Sequence, residues 1–265
     1  MISKQLIKIS AALAVALAFG TAGAQTLNAT GAVFGSTANY GVNGGAASGS
    51  YAPGRQFTYN GGSNFWAYCI DPGTGTILPS VYSTMSLDSF ADGSATSAYQ
   101  QQITRGGYAT WSGLSSGAAA QAVVKNDLKE LYSYAYNDAM SSATKAAAFG
   151  MAIWEIILQD GTNGTTYSKT SGRLTSYGST AAADGDAIEL QTNTYLNALN
   201  TGGWAGIGLG TATNWNYTVY FDSSSPFSQT FLGVTTPGVP EPGTAALAAL
   251  ALLGAVRFSR RNPKA

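Results

Sequence analysis

The side chains best suited to covalent or acid–base chemistry in this sequence are one cysteine and a few carboxylates. Among 265 residues there is no histidine, and Cys69 is the single cysteine. A Ser-His-Asp or Cys-His nucleophile would therefore lack its base. A histidine-ligated zinc site, a CxxC redox pair and an intramolecular disulfide are excluded as well. We expect no catalytic residue, no metal ion and no cofactor.

A glycoside hydrolase would need only two carboxylates. Asp71 opens a predicted turn and Asp186 precedes a predicted helix, so both have ordinary structural uses. Glu155 differs, because it lies beside Trp154 in an apolar segment, where burial raises the pKa of a carboxyl. A carbohydrate-active hydrolase that uses Glu155 and a second carboxylate stays open as an alternative. The candidates for that second carboxylate are Asp71, Asp160, Asp184, Asp186 and Asp222.

Two segments that surround Cys69 and Trp154 stand out together. The first is residues 68–71 (YCID), on a predicted strand, and the second is residues 152–156 (AIWEI), on a predicted helix. Together they resemble the two halves of the thioester domains of bacterial surface adhesins, in which the cysteine of a YCI-type strand bonds to the glutamine of a TQxAIW helix. In this sequence Phe149 and Gly150 stand where that motif has threonine and glutamine.

The missing glutamine decides what the resemblance implies for Cys69. The acyl-sulfur bond of these domains needs a thiol and a carboxamide in contact, and Gly150 has no carboxamide. We therefore predict an inert, vestigial thioester site at Cys69 and Gly150, with Cys69 packed as a small buried hydrophobic residue. A covalent adhesin in which Gln121 or Gln159 replaces the motif glutamine is a further alternative.

Residues 1–24 have the three parts of a secretory signal peptide. Two lysines and no acid begin the segment, an apolar run follows, and small residues end it at Ala24. We expect export through the Sec translocon and cleavage between Ala24 and Gln25.

Residues 239–265 form a second short signal, made of a Val-Pro-Glu-Pro sequence, an apolar run at 245–256 and a basic cluster. The run is shorter than the ~20 residues that a membrane-spanning helix needs, although its arginines can snorkel to the interface. This end resembles the PEP-CTERM sorting signal, and the resemblance implies processing by an exosortase and transient anchoring in the inner membrane. The recognition residues that it implies are Val239, Pro240, Glu241, Pro242, Arg257, Arg260 and Arg261.

The body between these ends begins and finishes with strand signals. Residues 56–59 lead into a hairpin turn at Asn60-Gly61-Gly62, and residues 64–70 predict an aromatic central strand. Residues 214–221 alternate, and we expect residues 229–234 to pair with them. The alternation predicts one shared face for Trp215, Tyr217, Val219 and Phe221.

The middle of the body has helical periodicity over residues 118–140, 142–158 and 186–199, with Asp186 as an N-cap. Strands, then helices, then strands predict an α+β fold: a β-sandwich or barrel with a helical insertion, flanked by a signal peptide and a short C-terminal hydrophobic helix. The predicted units are a signal peptide at 1–24, a globular domain at 25–222, a linker at 223–238 and the sorting segment at 239–265.

Charge and composition narrow the function of this body. Residues 25–239 carry seven basic and twelve acidic side chains, a net charge of −5, so we expect no nucleic-acid partner. We predict a non-enzymatic structural or adhesive protein at the outer surface, or in the exopolysaccharide (biofilm) matrix, of a Gram-negative bacterium. Its expected partners are exosortase and the Sec translocon during export, then exopolysaccharide or other surface proteins.

Overall fold

The computed structural model describes residues 25–34, 38–42, 49–51, 54–59, 61–71, 80–91, 118–158, 167, 174–178, 186–222 and 228–237. The strands are β1 (Gln25–Phe34), β2 (Ala38–Val42), β3 (Gly49–Tyr51), β4 (Gly54–Tyr59), β5 (Phe65–Cys69), β6 (Ser80–Ser86), β7 (Leu174–Gly178), β8 (Asn216–Asp222) and β9 (Phe231–Thr235). The helices are α1 (Leu87–Ala91), α2 (Ala118–Ala139), α3 (Ala143–Leu158) and α4 (Ala187–Thr201), and a short 3₁₀ helix spans Trp204–Ile207.

Six strands close an antiparallel barrel in the order β1-β4-β5-β9-β8-β6. Closure pairs the first strand with β6 and places β9 between β5 and β8, so strands distant in sequence become neighbours. A separate three-stranded sheet has the order β3-β2-β7. The predicted α+β class is confirmed, and of the two predicted arrangements the structure has the barrel.

Aromatic rings from five strands fill the inside of the barrel. The ring of Phe57 lies 4.7 Å from that of Phe231 and 6.0 Å from that of Phe65, and Phe65 stacks on Tyr220 at 4.8 Å. Tyr82 packs on Phe231 at 6.3 Å. Because aromatic rings bury large areas, these contacts hold the barrel strands around one core.

The predicted hairpin and the late strand pair are confirmed. β4 pairs with β5 across a turn in which Gly61 has φ +68°, a left-handed conformation that glycine adopts without steric cost. β8 pairs with β9, as expected for residues 214–221 and 229–234. β9 lies inside residues 223–238, the range predicted to be a linker. This part of the range belongs to the folded domain, because its backbone pairs with both β5 and β8 and completes the barrel.

The apolar face predicted for β8 is only part of what that strand buries. Val219 is buried, but so are Tyr220 and Asp222 on the alternate positions. The reason is that β8 has cover on both sides: Tyr220 faces the aromatic barrel interior, and Tyr217 contacts Tyr132 of α2 at 6.1 Å. A clean alternation in sequence therefore does not mean a solvent-exposed face.

The three predicted helices form the insertion between β6 and β8 and pack against the barrel. The predicted N-cap is confirmed, since the carboxylate of Asp186 accepts hydrogen bonds from the N–H groups of Ile188 and Glu189 at 2.8 and 2.9 Å. The buried stripe of α2 contains Val124, Leu128 and Leu131, as predicted. α3 is buried around its whole circumference from residue 146 to 158, because α2, α4, β4 and β7 all contact it.

Candidate functional site

The structure brings together the two segments whose sequences resemble a thioester site. Cys69 is the last residue of β5, and Trp154 lies on α3. The indole Nε1–H of Trp154 donates to the carbonyl oxygen of Cys69 at 3.0 Å. One residue before the cysteine, the ring of Tyr68 meets that of Phe149 edge-on at 4.9 Å. The strand–helix pairing that the sequence suggested is therefore present in the fold.

Gly150 lies one helical turn before Trp154 on α3 and is buried. Residues four apart lie on the same side of a helix, so this position is on the Trp154 side of α3. A glycine there supplies no carboxamide. Of the substitutes considered from sequence, Gln121 lies in the first turn of α2, where the structure describes only its backbone, and Gln159 lies outside the described residues.

The Cys69 thiol is enclosed. The residue is 1% exposed, and the backbone N–H of Asp71 donates to Cys69 Sγ at 3.2 Å. Burial, followed by the nearby Asp71 carboxylate, raises the pKa of this thiol well above its ordinary value. Because the thiolate is the reactive form of cysteine, a buried thiol with a raised pKa is a poor nucleophile at neutral pH.

A buried polar cluster, which we define as Asp71, Tyr82, Asp222, Ser228 and Gln229, lies next to Cys69. The hydroxyl of Tyr82 bonds to Ser228 Oγ at 2.7 Å and to the Gln229 carbonyl oxygen at 2.8 Å. The Ser228 N–H donates to Asp222 Oδ2 at 3.0 Å. These bonds join β6, β8 and the entry to β9, and thereby fix the approach of the last barrel strand.

Gln229 is the carboxamide that sequence reasoning missed. Its Nε2 donates to the carbonyl oxygen of Asp71 at 3.3 Å, while the N–H of that same residue bonds to Cys69 Sγ. The pairing of Cys69 with Phe231 places residue 229 opposite residue 71. The sequence would have predicted that Gln229 lies near Cys69 only if residues 229–234 had been expected to pair with β5 as well as with β8.

The carboxylates considered for a hydrolase are not displayed to solvent. Glu155 is 0% exposed, Asp71 1% and Asp222 0%, and Asp186 caps α4. Asp160 and Asp184 lie outside the described residues. A polymer chain has no access to the three buried carboxylates in this conformation, so Glu155 and either buried aspartate do not form a glycosidase pair here.

The residues of the two predicted terminal signals lie outside the described part of the chain, except Gln25, which begins β1. These are Ala24 of the cleavage site and Val239, Pro240, Glu241, Pro242, Arg257, Arg260 and Arg261 of the sorting signal. Within the described residues, no helix combines the length and apolar character needed to cross a bilayer.

No protein-family model matches the sequence, and no curated protein matches it. Two solved structures are similar in part. The N-terminal thioester domain of the fibronectin-binding protein SfbI from Streptococcus pyogenes has a TM-score of 0.42 and 11% identity, over 80% of this chain and 98% of that chain. The N-terminal domain of the Streptococcus pyogenes pilus tip adhesin Cpa has a TM-score of 0.38 and 13% identity, over 79% and 98%. Similarities of this size establish no shared chemistry.

Proposed function

We propose that this chain is an exported protein of a Gram-negative cell envelope that acts at the outer surface or in an exopolysaccharide matrix as a non-enzymatic structural or adhesive component. Its route passes through the Sec translocon, and an exosortase processes the C-terminal segment. Its partners at the destination are exopolysaccharide or other surface proteins.

The two terminal sequences support the proposed export route and cellular location. Residues 1–24 have the order of charge, apolar run and small residues of a signal peptide. The described barrel begins at Gln25, so cleavage after Ala24 would leave β1 whole, including its pairing with Tyr82 of β6. The Pro-Glu-Pro sequence followed by an apolar run and arginines supports exosortase processing.

The enclosure of Cys69 is the observation that best supports a non-enzymatic function. Its thiol is 1% exposed, its pKa is raised by burial, and the matching position on α3 is a glycine. A covalent adhesin needs a thiol in contact with a carboxamide, so that the sulfur bonds to the acyl carbon and ammonia leaves, and a hydrolase needs accessible carboxylates. The contacts described above favour a structural use of these groups over both kinds of chemistry.

The proposed location is tested in the producing organism by determining the N- and C-terminal sequences of the mature protein isolated from the cell surface. We expect an N-terminus at Gln25 and loss of the basic tail. Replacing Pro240, Glu241 and Pro242 with alanine should retain the protein inside the envelope. Pro237→Ala is the matched control, because it removes a nearby proline outside the motif and should leave sorting unchanged. An intact Met1 or a retained Lys264 on surface material would contradict the proposal.

The adhesive role is tested by incubating the purified protein with the producer's own exopolysaccharide and cells. We expect retention on one or both without shortening of the polymer, and reduced cell aggregation in a deletion strain. Release of new reducing ends that is lost in Glu155→Gln would establish the hydrolase instead.

A further inference from the structure

The first and last strands of the barrel place both of its chain ends toward the same end of the barrel. Neighbouring strands are antiparallel, and β4 and β5 separate β1 from β9. β1 and β9 therefore run in opposite directions, so β1 begins toward the end of the barrel at which β9 finishes. We call this end the exit end, because the last barrel strand finishes there, at Thr235.

One turn and three strand ends form the described part of the exit end. The turn between β4 and β5 contains residues 61–64, β6 ends at Ser86, and β8 begins at Asn216, which pairs with Thr235. All of these residues are exposed, and none of them carries a charge.

The buried polar groups of the barrel lie toward the opposite end. β5 and β8 both begin at the exit end and run away from it, and they finish at Cys69 and Asp222. Asp88, which follows the end of β6, is ion-paired with Lys129 at 2.6 Å. The strand ends and the turn of the exit end are therefore a neutral surface on an acidic body. Such a surface approaches an anionic bilayer at a smaller electrostatic cost than the acidic remainder does.

The chain between the barrel and the C-terminal apolar run is short. Thr235 and Ala245 are ten residues apart, so they span at most ~36 Å when fully extended. A folded domain of about 200 residues has a radius of gyration of roughly 16 Å and is therefore about 40 Å across. The extended tether is shorter than the domain that it holds. A bilayer that contains residues 245–256 is therefore within reach of the exit end but not of the opposite end.

We propose that the exit end of the barrel lies against the inner membrane while residues 245–256 anchor the chain. This orientation rests on the proposed sorting segment and adds the surface that the anchored protein turns toward the lipid. The end that contains Cys69 and Asp222 then points away from the bilayer. Because β1 also begins toward the exit end, cleavage after Ala24 and processing of the sorting segment take place on the same side of the barrel.

Energy transfer from labelled cysteines to acceptor lipids tests this orientation. The chain that begins at Gln25 and keeps its sorting segment is inserted into vesicles of phosphatidylethanolamine and phosphatidylglycerol whose headgroups carry an acceptor dye. Ser63→Cys places the donor dye on the turn of the exit end. Val81→Cys is the comparison, because Val81 is 46% exposed and lies on β6, ~16 Å along the strand from its end at Ser86. The wild type, with its enclosed Cys69, is the labelling blank.

We expect transfer from the Ser63 position to exceed transfer from the Val81 position by about twofold, because the second position lies ~16 Å further along a strand. Insertion of about twenty Gly and Ser residues after Pro237 should remove most of this difference, because a longer flexible tether lets the domain turn over.

Equal transfer from the two positions, or greater transfer from Val81, would overturn the orientation. A difference that persists after the insertion would overturn the short tether as its cause. Vesicle flotation separates these results from a failure of the proposed sorting segment. If the chain does not float with the vesicles, residues 245–256 do not anchor it and the orientation fails as well. If the chain floats but the two positions give equal transfer, the anchor stands and only the orientation fails.

Discussion

The indole N–H of Trp154 bonds to the carbonyl oxygen of Cys69 at 3.0 Å. This bond joins the end of a barrel strand to the buried helix α3 at the point where a thioester would need a glutamine. Gly150 lies one turn before Trp154 on the same helix, and the rings of Tyr68 and Phe149 meet edge-on at 4.9 Å. The strand–helix contact is therefore maintained by packing and a neutral hydrogen bond.

Removing this bond should open the site to solvent. Trp154→Phe loses the hydrogen bond and part of a buried ring, and we expect it to lower the free energy of unfolding by about 1–3 kcal/mol. A thiol-reactive dye should label native wild-type Cys69 only as fast as the protein opens, and should label the variant considerably faster.

Trp204→Phe is the control for that labelling experiment. Trp204 is also buried and donates its Nε1–H to Glu130 Oε1 at 2.7 Å, but it packs on Tyr134 of α2, with which it stacks at 5.2 Å. Trp204→Phe should lower the free energy of unfolding. It should not increase the labelling of Cys69 in the native state beyond the change expected from global unfolding. Rapid labelling of Cys69 in the folded wild type would contradict the enclosed thiol.

The start of α4 depends on one capping side chain. Asp186→Ala removes the acceptor for the N–H groups of Ile188 and Glu189, and we expect a loss of about 0.5–2 kcal/mol in unfolding free energy. Leu190→Ala on the same helix is the control, because Leu190 is 58% exposed and its truncation should change stability by less than about 0.5 kcal/mol. Urea denaturation measures both, and equal losses would contradict the capping role.

Buried tyrosines should make the fold sensitive to alkali. Burial raises the pKa of Tyr136 and of Tyr220 from 10.0 to about 12, and it also raises the pKa values of Tyr68, Tyr82 and Tyr195. The unfolded chain then releases these protons at a lower pH than the folded chain does. Stability is therefore fully present below pH 10 and falls as the pH rises toward 12.

The expected loss is about 3 kcal/mol for each tyrosine whose pKa rises by about two units once the pH exceeds the shifted values, and about half of that at pH 11. Urea midpoints measured at about pH 8 and about pH 11 test this loss. Tyr136→Phe should reduce the pH dependence, because phenylalanine has no proton to release. Midpoints that do not move over this interval would contradict the burial of the phenolic groups.

Local signals in the sequence predicted the helices, the hairpin and the Asp186 cap, because each depends on residues close together in the chain. The closure of the barrel by β1 with β6 was not predictable in this way, since it depends on strand pairing between distant segments. The same is true of Gln229 beside Asp71. The spacing of apolar residues in α3 predicted a helix. It did not predict that every side of this helix is buried, because that burial depends on packing against four separate elements.

The contacts of Trp215 and Tyr217 show the same division between local and non-local information. The alternation of residues 214–221 identified Trp215 and Tyr217 as neighbours on one side of a strand. Their hydrogen-bond partners, the carbonyl oxygens of Tyr132 and Lys129, lie on α2, far from this strand in the chain, and only the tertiary fold brings them together.

The intact mass of the folded, purified protein tests the central claim, that Cys69 is an enclosed thiol without a covalent partner. We expect the mass of the chain beginning at Gln25, with no ammonia lost except by cyclisation of that N-terminal glutamine, and no increase after incubation with methylamine. The same result is expected for Gln229→Ala, whose carboxamide bonds to Asp71. Cyclisation of the N-terminal Gln25 also releases one ammonia, so peptide mapping locates any mass deficit. A deficit of ~17 Da on the peptide that contains Cys69, together with uptake of methylamine, would contradict the claim. Restoration of the full mass in Gln229→Ala would then identify Gln229 as the partner of Cys69.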